Sequence, residues 1–207
     1  MESNAAFYRL PARETFEKWA GQVPDGFVMA VKASRYLTHV RRLADPEEPV
    51  ARLLEHAAGL GDRLGPILVQ LPPTLVAVPE RLDATLAAFG GRVRVAVEPR
   101  HASWWTGEVE AILRAHGAAL CWSDRRGRPV APLWRTADWG YLRLHEGRAM
   151  PWPRYGRQSL RTWRDRIRDA WGSDAEAYVY FNNDQHAAAP HDAAHLLALA
   201  SAGRGGG

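Results

Sequence analysis

The sequence is poor in lysine and cysteine, and it has no long apolar run. Only Lys18 and Lys32 stand beside 25 arginines, so Lys32 is one of two positions that keep an ammonium group. The single cysteine, Cys121, excludes an internal disulfide, and its apolar neighbours predict a small buried residue. No apolar run approaches the roughly 20 residues that cross a bilayer, and no basic-then-apolar leader opens the chain. We therefore expect a cytoplasmic protein without a membrane partner.

The remaining composition is typical of a folded domain. The 207 residues are 46% hydrophobic and 24% charged and include nine tryptophans, so the chain can bury a sizeable core. We expect a single domain over residues 1–200 and a disordered tail over residues 201–207. The net charge of +4 leaves two explanations open: arginines that are simply solvated, or a polyanionic partner such as nucleic acid.

Short apolar runs alternate with segments of helical periodicity, which is typical of βα units and a parallel sheet. The predicted strands cover residues 3–8, 27–31, 66–71, 93–98, 118–122, 139–144 and 177–181. One predicted helix ends near Gly21 and another begins at Asp45 as its N-cap. The others cover residues 79–89, 106–116, 159–171 and 193–200, and residues 33–44 are predicted to form a loop.

Each predicted strand carries polar side chains at or near its carboxyl end. In chain order they are Asn4 and Arg9; Lys32, Arg35 and His39; Gln70; Glu98, Arg100 and His101; Asp124; Arg143 and His145; and Asn182, Asn183 and Asp184. Polar groups at the carboxyl ends of all strands are typical of a (βα)₈ barrel, whereas a doubly wound sheet concentrates them at one or two crevices. We therefore predict an α/β fold of the TIM-like barrel type with seven visible strands. The missing unit is expected to be roughly 30 to 40 residues long and to precede Ser3.

Six motifs, taken in order, resemble the YecE-like family, which is also known as domain of unknown function 72. They are Phe7–Pro11; Val31–Arg35 with Thr38 and His39; Leu64–Pro66 with Gln70–Pro73; Glu98 and Arg100 with His101, Ser103 and Trp104; Tyr141–His145; and Tyr178–Asp184. Together they span nearly the whole chain. The resemblance implies a TIM-like barrel, but the activity of the family is not established.

The chain departs from the family pattern at three places. The family's Gly-rich first strand and its helix are absent before Glu2 and Asn4. Pro99 follows Glu98 where the family usually has another residue, which removes one backbone donor. Glu146 separates His145 from the glycine that usually follows it directly, so we expect a loop of different shape there.

Four cations at strand ends predict a site for a small anion. Lys32, Arg35, Arg100 and Arg143 would repel one another, since two like charges about 4 Å apart cost about 4 kcal/mol at an effective dielectric near 20. A phosphorylated or carboxylated ligand would offset that repulsion. The alternative is a closed network of ion pairs in which Glu98 and Asp184 balance the cations.

Glu98 is the best candidate for a general acid or base, assisted by His101 or His145. Its alternative role is to orient Arg100 or Lys32. Asp184 is a further candidate, either in a phosphate site after the last strand or as the cap of a turn.

A metal or cofactor is not indicated by the sequence. His39, His101 and His145 lack close ligand spacing such as HExxH, although they could approach Glu98 and Asp184 in space. The sequence contains neither GxxxxGK[ST] nor GxGxxG, and we expect no cofactor.

Aromatic and arginine residues motivate a rival function, the binding of nucleic acid without catalysis. Its candidate residues are Trp104, Trp105, Trp152, Tyr155, Arg154, Arg157, Arg161, Arg164 and Arg168. The alternative is that the aromatic residues pack barrel loops and that the arginines form a solvated face opposite the apolar stripe of the helix at 159–171. Trp104 is also expected to contact a small ligand.

Overall fold

The apolar runs form two largely parallel sheets in a computed structural model that describes residues 1–174 and 176–202. The chain divides into two compact units, Met1–Ala119 and Leu120–Gly207, and each is described by itself. An α/β fold with parallel strands and helices is thus confirmed. The closure of the strands into a barrel and the single domain over residues 1–200 stay predictions.

The sheet of the first unit has the order β1-β2-β3-β4-β5. Its strands are β1 (Glu2–Ser3), β2 (Met29–Lys32), β3 (Leu64–Gln70), β4 (Val95–Glu98) and β5 (Ala119–Leu120). The pairs from β1 to β4 are parallel, and every residue of β2 and β4 is buried. Burial on both faces explains why these strands read as continuous apolar runs instead of alternating ones.

The helices of this unit are α1 (Ala5–Tyr8), α2 (Arg13–Ala20), α3 (Glu47–Ala57), α4 (Pro79–Phe89) and α5 (Gly107–Ala115). Short 3₁₀ segments cover Ala58–Arg63 and Ala102–Trp104, and a π-helical turn covers Tyr36–Val40. Helix α4 has the predicted bounds, because Pro79 suits the first turn and Gly90 ends the helix with a φ of 59°.

Three predictions for the first unit were wrong. Residues 5–8 form helix α1 instead of a strand, and the Arg9 N–H bonds to the carbonyl of Ala5. The N-cap of α3 is Pro46 instead of Asp45, whose carboxylate pairs with Arg41. The predicted loop at 33–44 contains the π-helical turn, since its apolar side chains Leu37 and Leu43 are buried.

The sheet of the second unit has the order β7-β6-β8-β9. Its strands are β6 (Trp122–Arg125), β7 (Arg128–Pro129), β8 (Gly140–Leu144) and β9 (Ala177–Phe181). Strands β6, β8 and β9 are parallel, whereas β7 pairs with β6 in an antiparallel hairpin that was not predicted. The predicted strand at 118–122 is divided at Cys121 between β5 and β6.

Helices α6 (Arg157–Trp171) and α7 (Ala188–Ala202) cover β8 and β9, with a 3₁₀ turn at Gln185–Ala187 between β9 and α7. The predicted stripe of α6 lies in a core cluster built around Trp122, Leu142 and Trp163. Helix α7 includes Ser201 and Ala202, while residues 203–207 of the predicted tail lie outside the described residues. No helix in the described part of the chain is both long enough and apolar enough to cross a membrane.

Candidate functional site

Three neighbouring strands of the first unit end in polar side chains. Lys32 ends β2, Gln70 ends β3 and Glu98 ends β4, and the register pairs Gln70 directly with Glu98. The carboxyl ends of parallel strands meet at one edge of a sheet, which is where α/β proteins bind ligands. Together with His39 and Arg100, we call these five residues the Glu98 cluster.

Glu98 is a buried carboxylate with a defined partner on each oxygen. It is 2% exposed, its Oε2 accepts a 2.8 Å bond from the Gln70 amide, and its Oε1 accepts a 3.1 Å bond from Arg100. These charge-assisted bonds offset the cost of burying the charge. Gln70 is therefore placed to orient Glu98, whereas the side chain of Arg100 is partly accessible to solvent.

The donor that Pro99 removes lies outside the paired part of β4. Strand β4 ends at Glu98, and the Glu98 carbonyl still accepts a 2.9 Å bond from the Leu71 N–H. The ladder between β3 and β4 therefore extends to the carboxylate, and the missing donor of Pro99 falls beyond it.

Lys32 lies over an aromatic ring that the sequence did not single out as a site residue. Its Nζ is 3.8 Å from the centroid of Phe7, and the ring of His39 meets the same ring edge to face at 5.1 Å. A cation over a ring face is stabilised by the ring's quadrupole. Phe7 thus positions both the ammonium group and the imidazole, and its place in the first motif was the signal for it.

The environment of His39 favours the neutral imidazole. Burial lowers the pKa of His39 first, and the charges of Lys32, Arg35 and Arg100 lower it further. The Thr38 hydroxyl donates to the Ser34 carbonyl at 3.2 Å, which leaves its oxygen to accept from His39 Nδ1 at 2.8 Å. In this tautomer the Nε2 lone pair is the one that can take a proton.

His39 lies on a segment with unusual backbone geometry. The π-helical turn Tyr36–Val40 is followed by Arg42 and Leu43, whose φ values are 52° and 63°. π-Helical turns and left-handed residues other than glycine are enriched at functional sites, where the surrounding structure maintains them.

His101 is held by the turn that follows β4. Its Nδ1 accepts a 3.2 Å bond from the Ser103 N–H and lies 2.8 Å from Ser103 Oγ, which itself accepts from the Ala77 N–H. Only Nε2 of His101 is then available for a ligand. Trp104 is completely buried and donates its indole N–H to Leu75, so it supports this turn and does not offer an open ring face.

The other predicted residues of the first unit lie at its surface. Asn4 precedes α1 without a side-chain capping bond, and Arg9 follows that helix; both are exposed. Arg35 is also exposed and acts on the site through its charge near His39.

Asp124 in the second unit is the centre of a buried polar network. It is 2% exposed, and its oxygens accept bonds from the Tyr155 hydroxyl at 2.6 and 2.7 Å, from the His145 N–H at 2.7 Å and from the Gly127 N–H at 3.0 Å. Burial raises the pKa of Asp124, and these bonds offset part of that shift. Burial, followed by the charge of Asp124, raises the pKa of Tyr155.

Asn183 belongs to the same network through Asp192. Its amide donates to Asp192 Oδ2 at 2.8 Å and to the Pro153 carbonyl at 3.1 Å, and Asp192 also accepts from the Tyr155 N–H at 2.9 Å. Asn183 therefore fastens the end of β9 to α7. The sequence offered no signal for Asp192, which is an isolated acid inside a helix.

The other predicted site residues of the second unit, Arg143, Asn182 and Asp184, differ in their burial. Arg143 is buried on β8 in register with Ser123 and Tyr180. Asn182 donates its backbone N–H to Leu144, and Asp184 is exposed at the start of the 3₁₀ turn.

Two further features bear on ligands of other kinds. Among residues 1–174 and 176–202, no three His, Cys, Asp or Glu side chains are grouped so that they could hold a metal ion. A cavity of about 480 Å³ lies between α6, β9 and α7, and its largely apolar lining includes none of the residues predicted for the small anion, although Arg164 and Arg168 line it.

The aromatic and arginine residues proposed for nucleic acid are only partly accessible. Tyr155 and Trp104 are buried, whereas Trp152 is 45% exposed. On α6, Arg164 pairs with Asp165, while Arg157, Arg161 and Arg168 are exposed opposite the buried stripe.

Known proteins provide the remaining comparison. The family described as "Protein of unknown function DUF72" matches residues 1–205. The fold is similar to a DUF72 family protein from Thermotoga maritima MSB8, with 24% identity, a TM-score of 0.81 and coverage of 97% of this chain and 84% of that one. It is also similar to a DUF72 family protein from Enterococcus faecalis V583, with 22% identity, a TM-score of 0.79 and coverage of 97% and 88%. No curated protein matches the chain. The chain therefore belongs to the DUF72 family, whose members have no established function.

Proposed function

We propose that the chain binds a small phosphorylated or carboxylated molecule at the Glu98 cluster and exchanges a proton with it. The observation that carries this proposal is the meeting of Lys32, Gln70 and Glu98 at neighbouring strand ends, with Arg100 bonded to Glu98. We further propose that the parallel strands of the chain close a TIM-like barrel, in which such strand ends form the active face.

The charge around His39 favours an anion. Lys32, Arg35 and Arg100 all act on its imidazole, and each lowers its pKa, so the potential at that ring is positive. A half-exposed guanidinium such as that of Arg100 presents paired donors that match phosphate or carboxylate. The ligand's anionic group would therefore contact Arg100 and lie beside Lys32.

His39 and Glu98 are the two groups of the cluster that are suited to accept a proton. The neutral His39, with its lone pair on Nε2, would accept a proton from the ligand near neutral pH. Glu98 would hold Arg100 in place and would accept a proton from a hydroxyl or other protonated group of the ligand that reaches Oε1. His101 would offer a second donor through Nε2.

Titration of the protein with inorganic phosphate, followed by amide chemical shifts, tests the proposal. We expect saturable shifts at residues of the Glu98 cluster and an affinity roughly 10- to 100-fold lower in Arg100→Gln, from the loss of a charge-assisted bond. The matched control is Arg114→Gln, because Arg114 is also half-exposed and also bonds to a glutamate, Glu110. Absence of saturable shifts, or an equal loss in Arg114→Gln, would overturn the proposed anion site.

A further inference from the structure

The β6–β7 hairpin concentrates positive charge in a way that costs stability. Arg125 of β6 lies directly opposite Arg128 of β7, and both side chains are exposed. Like charges directly opposite one another destabilise an antiparallel pair. The two residues between them, Arg126 and Gly127, add a third arginine to the same tip.

The turn of this hairpin is unfavourable for the residue that it carries. Arg126 and Gly127 have φ values of 53° and 69°, as in a two-residue turn of type I′. The first position of that turn favours Asn, Asp or Gly, which tolerate a positive φ, and an arginine there is strained. The hairpin is therefore unfavourable in two respects: like charges lie opposite one another, and the first turn residue is strained. In both cases the residue that makes it unfavourable is an arginine. Local rules are broken in natural proteins mainly at functional sites.

A second loop is fastened beside the hairpin by Glu146. Its carbonyl accepts a 2.7 Å bond from the Gly127 N–H, and its Oε1 accepts bonds from Arg126 Nε at 3.2 Å and from Trp152 Nε1 at 3.3 Å. The indole of Trp152 is therefore oriented next to Arg126 while remaining 45% exposed. Arg148 on this loop is exposed as well.

We propose that the hairpin tip and the 146–152 loop bind single-stranded nucleic acid, with Arg125, Arg126 and Arg128 on phosphates and Trp152 stacked on a base. Cations spread over two loops match a chain of phosphates better than a single small anion. An exposed, oriented indole beside them supplies the stacking surface that non-sequence-specific single-strand binders use. This surface lies wholly in the second unit, and the proposal does not depend on the anion site at the Glu98 cluster.

Fluorescence anisotropy of a labelled 15-nucleotide oligothymidine, measured from about 50 to 300 mM KCl, tests the proposal. For wild-type protein we expect affinity to fall with salt with a log–log slope of about −2, because three phosphate contacts contribute roughly −0.7 each. Arg125→Gln with Arg128→Gln should reduce the magnitude of that slope by about 1.4. Trp152→Ala should weaken binding at every salt concentration by about tenfold or more, whereas Trp152→Phe should recover most of the affinity.

The control variants distinguish binding at this surface from binding through positive charge elsewhere on the protein. Arg157→Gln with Arg161→Gln removes two exposed arginines of α6 and should change the affinity by less than about twofold. Thermal unfolding should show the hairpin variant to be at least as stable as wild type, since its like-charge pair is gone.

Four results would overturn the proposal: no binding at 50 mM salt, an equal loss in the α6 variant, equal binding of a duplex of the same length, or binding only to anionic phosphatidylserine vesicles. Arg100→Gln should leave oligonucleotide binding unchanged, and the hairpin variant should leave phosphate binding unchanged. Failure of one site is thereby distinguished from failure of the other.

Discussion

Gln70 and Glu98 face each other across β3 and β4, and their side chains are joined by a 2.8 Å hydrogen bond from the amide to Oε2. The pair lies 28 residues apart in the sequence and is buried. It turns one oxygen of the carboxylate toward Gln70, while the other oxygen accepts a bond from Arg100. The position of Glu98 is thus determined by its neighbouring strand as much as by its own.

Gln70→Leu should destabilise the protein by about 1–3 kcal/mol, because a buried carboxylate oxygen loses its donor. Urea unfolding measures the change in the free energy of unfolding. Gln22→Leu is the matched control: Gln22 is exposed, and its replacement should change stability by less than about 0.5 kcal/mol. Equal changes in the two variants would show that the Gln70 bond contributes nothing.

Lys32→Met should raise the pKa of His39, because Lys32 is one of the charges that lower it. The pKa is measured by proton NMR titration of the His39 ring. The only other lysine, Lys18, is exposed on α2, so Lys18→Met provides a control of identical chemistry. A lowered or unchanged pKa of His39 in Lys32→Met would contradict the effect of the Lys32 charge on His39.

His39 should also make the protein less stable as the solution becomes acidic. Folding lowers the pKa of His39 below the roughly 6.5 of a free imidazole, so the unfolded chain binds more protons below that pH. The contribution of His39 to stability is full above about pH 6.5 and is lost as the pH falls toward the folded pKa. Urea unfolding of wild type and His39→Gln between about pH 5 and 8 measures this, and the variant should show the shallower pH dependence.

Tyr155→Phe should destabilise the second unit by about 1–3 kcal/mol and raise the pKa of Asp124 further, since the Tyr155 hydroxyl donates to both carboxylate oxygens. Calorimetry and a carboxyl NMR titration measure the two effects. Tyr8→Phe serves as the control because Tyr8 is 76% exposed. An unchanged pKa of Asp124 would mean that this bond does not hold the carboxylate in its charged form.

Gly147→Ala should disrupt the loop that carries Trp152, because a Cβ at Gly147 would overlap the backbone of Arg154. We expect a lower melting temperature and a loss of oligonucleotide binding like that of Trp152→Ala. Gly107→Ala is the control: an added Cβ there meets no heavy atom within 4 Å, and alanine in the first turn of α5 should be neutral or stabilise by about 0.4–1 kcal/mol.

Much of the parallel sheet was predictable because each strand is a short apolar run with a chemically distinct end. Helix α4 was predicted with its observed bounds, Pro79–Phe89, from the spacing of its apolar residues. The strand expected at residues 3–8 was wrong, since a run of six residues contains too little periodicity to distinguish a strand from a helical turn. The β6–β7 hairpin was missed because its turn begins with Arg126, where turn chemistry predicts Asn, Asp or Gly.

The residues of the Glu98 cluster could be named from the sequence, and the pairing of Glu98 with Arg100 was one of the alternatives left open, but the other contacts of the cluster were not predicted. Lys32, Glu98 and Arg100 were identified from strand ends, and the structure joins Arg100 to Glu98. Phe7, which contacts Lys32 and His39, stands in the first family motif but was not identified as a site residue, because its two contacts are with residues of other elements. Asp192 was missed for the same reason: its partners, Tyr155 and Asn183, come from other elements.

The sequence by itself determined where the parallel strands run, which polar side chains stand at their carboxyl ends, and to which family the chain belongs. These features depend on local periodicity and on the order of motifs along the chain. The tertiary structure alone decided that Gln70 orients Glu98, that the ring of Phe7 lies against Lys32, and that Glu146 accepts bonds from both Arg126 and Trp152. Each of these contacts joins residues separated by 6 to 28 positions or lies between different elements, so it arises only when packing brings their backbones together.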